Sequence, residues 1–363
     1  MRIYLDNIAF NIQKAGGVSV YWSEIVKRSV YSGHNVTFIE KKKDINNIFR
    51  KQINISPSNI TDQKYIPISI SRYLPVHLNT DTPSIFHSSY FRICNNPKVL
   101  NVVTVHDCIY ELFVSGFKQK LHLWQKKIAL NKSDIIICVS ESTKRDLLTI
   151  YPHLPSNKVK VIYNGAGDEF FPLEKQLPTP RPYEQFLRKK YILYVGSRVS
   201  YKNFNLIIDV VKQLKDFSLV VVGGGEFTDS EVHNLSQIKD RLFHVKSPSS
   251  NDLNMFYNYA YCLLYPSSYE GFGIPVAEAM KAGCPVITSS VSSIPEVAGN
   301  AGLLVDTIST ACIIAKIQDL KNESYRNEIV KLGLIQGNTF SWDKCFRETI
   351  ECYEHAYGNK FNP

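Results

Sequence analysis

Apolar and polar positions fall along this chain in short continuous apolar runs separated by stretches of helical spacing. Ile3–Leu5 reads as a first strand, Gly16–Gly17 as a turn, Val20–Val30 as an amphipathic helix and Val36–Glu40 as a second strand, which is the grammar of a βαβ unit. The pattern returns at Ser84–His87, Lys98–His106, Asp134–Val139 and Val159–Tyr163. Between the last two, Ser140–Thr143 supplies capping residues for a helix that reaches Ile150 before Pro152 stops it. A second alternating block has strands at Tyr191–Val195, Ser218–Val222, Tyr261–Tyr265, Pro285–Thr288 and Gly302–Val305. Phe171–Lys190 carries four prolines among polar and basic residues and reads as the linker.

This predicts an α/β protein of two Rossmann-like domains, residues 1–175 and 176–340, facing a central cleft. A C-terminal helix, 341–363, is expected to pack back on the first domain. A length of 363 residues fits two domains, and 44% hydrophobic with 21% charged residues fits ordinary globular cores. Doubly wound halves bind ligands beyond the carboxyl ends of their strands.

The N-terminus lacks a secretory pattern, and about 18 consecutive apolar residues occur nowhere. Eight cysteines are scattered without a C-x-x-C pair, several inside apolar runs, which suits a reducing compartment better than a disulfide or zinc framework. A cytoplasmic location is expected. The net charge of +9 favours an anionic partner without choosing among nucleotide diphosphate, lipid headgroup and nucleic acid.

The richest chemistry lies in Tyr261–Asp306. After a buried strand comes Pro266-Ser-Ser-Tyr-Glu270-Gly-Phe-Gly-Ile-Pro275-Val-Ala-Glu278, with Pro275 placed as the first helical residue and Gly283 as the stop at the helix end. Gly271, Phe272 and Gly273 would then stand at a helix N-terminus, which favours phosphate. Glu270 and Glu278 could accept bonds from sugar and ribose hydroxyls, or could simply be the acidic residues common at helix starts. Arg198 and Lys202 flank an earlier strand-to-helix turn, where they could neutralise a diphosphate or form a solvated basic turn.

Gly223-Gly-Gly-Glu226 follows a strand but has Thr228 where a dinucleotide fingerprint needs glycine, so a tight turn is the plainer reading. Walker, H-E-x-x-H and G-x-S-x-G sequences are absent. Lys118–Lys132 mixes Leu121, Leu123, Trp124, Ile128 and Leu130 with five lysines. It suits either an anionic membrane surface, together with Lys41–Lys43, or a helix with an inward apolar stripe and solvated lysines.

Taken together, Arg198 and Lys202, the E-x7-E pair Glu270 and Glu278, and SDIIICVSESTKRDL with VKVIYNG in Asp134–Gly165 resemble the retaining family-4 glycosyltransferases of the GT-B fold. The resemblance implies that Arg198, Lys202 and Asn203 hold a donor diphosphate, Glu278 the nucleotide ribose, and Glu270 with Gly271–Gly273 the transferred sugar. It implies that Gly16–Gly17 closes over the phosphates and that His106 lies near the donor sugar. It further implies transfer with retention and without metal or cofactor, from a nucleotide sugar to a glycan or lipid-linked glycan of a surface polysaccharide such as O-antigen or capsule. The donor domain is the second and the acceptor domain the first, nucleic acid is not a partner, and the location is the cytoplasm or the inner face of the plasma membrane. A mannose-like GDP-sugar is favoured over a UDP-sugar. The alternatives are a nucleotide-sugar epimerase of the same architecture and an inactive glycan-binding scaffold.

Overall fold

The computed structural model describes residues 1–41, 45–63, 66–174 and 183–361. It divides into two compact units, Met1–Gly165 with Trp342–Pro363, and Ala166–Ser341. The boundary therefore falls at Gly165/Ala166 rather than at 175/176. The expected linker is only partly described, since 175–182 lie outside the described residues. Glu184–Leu187 within it is a helical turn with Phe186 and Leu187 buried, because Phe186 packs against Tyr191, Phe243 and Phe256 of the second unit. Of the basic run Lys41–Lys43, positions 42 and 43 also lie outside the described residues.

The first unit is built on seven parallel strands: β1 Arg2–Asp6, β2 Asn35–Glu40, β3 Ile60–Asp62, β4 Ser84–Ser88, β5 Val99–Val105, β6 Ile135–Cys138 and β7 Val159–Val161. They run in the order β3-β2-β1-β4-β5-β6-β7. β4, β5 and β6 are buried along their whole length, as apolar β-branched runs must be when helices cover both faces. The helix Glu141–Ile150 starts where its sequence says, with the Ser140 side chain accepting from the Thr143 amide.

The final helix, Trp342–Phe361, completes this first unit. It is fixed there by Asp343 to Arg28 at 2.7 Å, by Lys360 to Asp134 at 2.9 Å, and by the Tyr353 hydroxyl against His87. Trp342 is buried beside Tyr21. The apolar face of one helix thereby joins a core laid down more than three hundred residues earlier.

The second unit holds six parallel strands: β8 Tyr191–Val195, β9 Ser218–Val222, β10 Leu242–Val245, β11 Cys262–Tyr265, β12 Val286–Ser289 and β13 Gly302–Val305. Their order, β10-β9-β8-β11-β12-β13, is that of a doubly wound nucleotide-binding sheet, with the switch point between β8 and β11. The helix Phe204–Gln213 buries Phe204, Ile207, Ile208 and Val211, a stripe at three- and four-residue spacing that covers one sheet face. β3 and β10 were not legible as strands, being short and only partly buried.

Candidate active site

At the switch point of the second unit two loops meet, one leaving β8 and one leaving β11. Asn203 joins them. Its backbone adopts φ 53°, a left-handed conformation that asparagine tolerates better than most side chains. From there its amide donates to the Pro266 carbonyl and the Ser268 hydroxyl, both at 2.8 Å. Ser268 N–H in turn donates to the Tyr201 carbonyl at 2.7 Å. The two loops are therefore one structural object, with Lys202 held at its centre.

Lys202 Nζ lies 2.8 Å from Glu270 Oε1 and donates to the Tyr265 hydroxyl at 3.0 Å. Burial disfavours the ammonium, yet the Glu270 carboxylate outweighs it and raises the Lys202 pKa. Each side chain of the pair is only about a tenth exposed, at 12% and 11%. The Glu270 amide donates to Ser292 Oγ at 2.9 Å, and Ser293 Oγ donates to the carbonyls of Glu270 and Phe272. Ser292 itself sits at φ 53°, strain of about 1–3 kcal/mol of the kind found around functional sites. Neither serine stood out in the sequence, because a support for a loop carries no pattern of its own.

The loop ends at Gly273, the N-cap of the helix Ile274–Lys281, with Pro275 in its first turn. Gly273 has φ 94°, and a Cβ there would lie 2.9 Å from Ile294 Cδ1, so both backbone and space require glycine. The helix start beside Glu270 offers a positive dipole end. Phe272 turns away into the unit, edge-on to Phe340.

Arg198 is held by the turn that follows β9. Its side chain is 4% exposed, with Nε donating to Glu231 Oε1 at 2.7 Å. Nη1 donates to the Gly223 carbonyl at 3.1 Å and Nη2 to the Glu226 carbonyl at 2.6 Å, while Phe227 stacks 4.4 Å away. Glu231 also closes the capping box with Thr228. Gly223, Gly224 and Gly225 all have positive φ, and a Cβ at Gly224 would strike Arg198 Nη1 at 2.2 Å. The triple glycine is thus a tight turn wrapped around a guanidinium, and Arg198 holds that turn.

Glu278 is one turn into the helix, where its carboxylate accepts from the Tyr257 hydroxyl at 2.9 Å. Burial pushes its pKa up to about 7, with the Tyr257 bond acting in the opposite direction. A carboxyl raised from 4.5 to about 7 binds more protons native than unfolded across that window, so its contribution to stability falls as pH rises from about 4.5 to about 7. Glu278→Gln is therefore expected to gain in melting temperature relative to the wild type as pH rises through that window. Parallel pH profiles for the two proteins would refute the shift.

The remaining candidates belong to the first unit. Gly16 is the N-cap of the helix Gly17–Tyr31, so Gly17 is the first helical residue rather than part of an open loop. His106 follows β5 and meets Tyr21 edge-on at 5.0 Å. Burial, aided by the Lys126 cation, lowers its pKa to about 4, and a neutral imidazole results. Lys126 corrects the picture of Lys118–Lys132 as a surface with solvated lysines. It is 1% exposed, pairs with Glu111 at 2.7 Å and donates to the Asp107 carbonyl at 2.9 Å. Lys118, Lys120, Lys127 and Lys132 are exposed. Among the described residues no cluster of His, Cys, Asp and Glu could hold a metal, and no helix is long and apolar enough to cross a membrane.

Known proteins are similar to this chain in sequence and fold. Residues 179–333 match the family model for glycosyl transferases group 1, and residues 15–170 match that for glycosyltransferase family 4. O-antigen chain mannosyltransferase B of Escherichia coli is 26% identical over 93% of this chain and 96% of its own. Among solved structures, sucrose-phosphate synthase from Thermosynechococcus elongatus superposes with a TM-score of 0.76 at 20% identity, over 99% of this chain and all of that one. The Anabaena protein HepE in complex with UDP and glucose gives 0.74 at 13% identity, over 98% of this chain and 99% of its own. The two family models together span most of the sequence, each on one parallel-sheet unit, and the chain belongs to glycosyltransferase family 4, as a glycosyltransferase of the GT-B fold.

Proposed function

We propose that this glycosyltransferase moves a mannose-like hexose or deoxyhexose from a nucleotide sugar to a glycan or lipid-linked glycan in surface-polysaccharide synthesis, with retention and without a metal. The observation that carries the reading is the Lys202–Glu270 pair, set at the switch point of the second unit beside the helix start at Gly273. A donor diphosphate would take the ammonium and the dipole end, releasing Glu270 and the Gly271–Gly273 segment to the sugar hydroxyls. Arg198 would reach the diphosphate through Nη2, which bonds mainly to backbone carbonyls, and Asn203 would keep the two loops together. Glu278 would accept from the ribose diol, and its raised pKa makes donor binding tighten as pH rises through about 7.

The first unit would bind the acceptor, and Gly16, Gly17 and His106 would be its contributions to the reaction. In the front-face route the C–O bond to the diphosphate breaks as the acceptor oxygen bonds to the same face. The departing phosphate oxygen takes the acceptor's proton, so no side chain acts as nucleophile. Lys202 and the helix dipole stabilise the charge on that phosphate. GDP-mannose is favoured because the E. coli relative is named a mannosyltransferase; the UDP held by HepE supports the second choice. Phe117 and Trp124, 80% and 55% exposed among four solvated lysines, support peripheral contact with the anionic inner face of the plasma membrane.

The test is a thermal-shift panel of GDP-, UDP- and dTDP-sugars in the presence of EDTA. A ligand at a hundred times its dissociation constant stabilises by about 2.7 kcal/mol. GDP-mannose should raise the melting temperature and Lys202→Ala should abolish the rise, while the anomeric configuration of the product reports retention. No shift with any series would overturn the donor reading and favour the scaffold alternative; donor turnover without acceptor would favour the epimerase.

A further inference from the structure

The second unit also holds a cavity of about 720 Å³ that the transfer reaction does not use. Lys190 immediately precedes β8 and Tyr261 immediately precedes β11, so the cavity lies at the amino ends of the strands. The donor candidates stand at the carboxyl ends. Its size is that of pockets that enclose whole small molecules, and its walls mix aliphatic and aromatic surface with a few convergent polar groups.

Three cations and one carboxylate line it: Lys190, Lys321, Arg326 and Glu323. Among the described residues no ion pair engages any of the three cations. Lys190 Nζ and the Arg326 guanidinium stand 4.4 and 4.6 Å from the centroid of one ring, Tyr261. A ring face attracts cations but accepts no strong hydrogen bond from them, and Arg326 Nη1 is buried without any partner. Buried donors in folded proteins are nearly always satisfied, so an unsatisfied Nη1 on an arginine that lines a cavity calls for an acceptor. The concave, partly apolar walls concentrate the positive potential.

We propose that this cavity binds a phosphomonoester of a small organic molecule. The net excess of two positive charges matches the roughly −2 charge of a phosphomonoester. Arg326 presents the planar fork that suits phosphate oxygens, Lys190 supplies the second cation and Lys321 guards the rim. The rest of the cavity, along Leu334, is more room than inorganic phosphate needs and takes the organic body.

Titration calorimetry on the full chain carrying Lys202→Ala/Glu270→Ala, with both charges of the donor pair removed, tests this with glucose 6-phosphate, inorganic phosphate and glucose as probes. Glucose 6-phosphate should bind saturably, inorganic phosphate more weakly and glucose not at all. Arg326→Ala should weaken glucose 6-phosphate by about tenfold or more, and the exposed Lys321→Glu, which leaves the packing around Tyr261 untouched, should weaken it as well. Absence of saturable heat in the millimolar range, or binding unchanged in both variants, overturns the site. Inorganic phosphate binding as tightly as glucose 6-phosphate overturns the phosphomonoester assignment. The donor reading stands or falls separately, on nucleotide sugars and an intact Lys202.

Discussion

Lys202→Ala is expected to reduce transfer by about 10²–10³-fold, the effect of removing one preorganised charge from a developing oxyanion. The same substitution leaves Glu270 buried beside the Tyr265 hydroxyl with its cation gone. Breaking a well-buried pair from one side costs about 3–5 kcal/mol, and the tenth of each side chain that remains exposed lowers that figure through solvent screening. Loss of activity and loss of stability must therefore be separated. The double variant Lys202→Ala/Glu270→Ala removes both charges and should recover most of the stability while remaining inactive. Melting curves and initial rates on the same three proteins make the distinction. Wild-type rates in folded Lys202→Ala would remove Lys202 from the site.

The parallel strands could be read from sequence because they are buried on both faces and therefore apolar without interruption; β8, β9 and β13 fall where their apolar runs do. The loop-and-helix start from Glu270 to Pro275 was legible for a different reason. A glycine two residues ahead of a proline, after a buried apolar run, marks a helix entrance. What could not be read was the use of polar side chains by parts of the chain far away in sequence. Arg198 binds a glycine turn 25 to 28 residues on, and Ser292 supports an amide 22 residues back. Proline-rich composition reads as linker, while Phe186 and Leu187 within that segment belong to the second core and the units divide at Gly165/Ala166. Lys126 was missed because a lysine on an amphipathic helix is almost always solvated, and only the fold places a carboxylate beneath it.

That buried lysine carries the largest expected effect on stability. Lys126 and Glu111 are 1% and 5% exposed, and Glu111 Oε2 has no other partner, so Lys126→Ala strands a carboxylate in the first unit. The expected loss is about 3–5 kcal/mol, most of it the cost of the abandoned charge rather than the worth of the pair. Lys126→Met/Glu111→Gln, neutral at both positions and with an acceptor left for the Tyr151 hydroxyl, should recover more than half of it in denaturant melts. A purely steric role for Lys126 predicts instead that the double variant is as unstable as the single one. A second readout separates packing from electrostatics. The Lys126 cation is one of the two influences that hold the His106 pKa down near 4, the larger being burial. In the folded double variant the His106 titration, followed by NMR, should move upward but stay below its ordinary value. An unmoved titration would mean that Lys126 acts on the His106–Asp107 turn only by holding the Asp107 carbonyl.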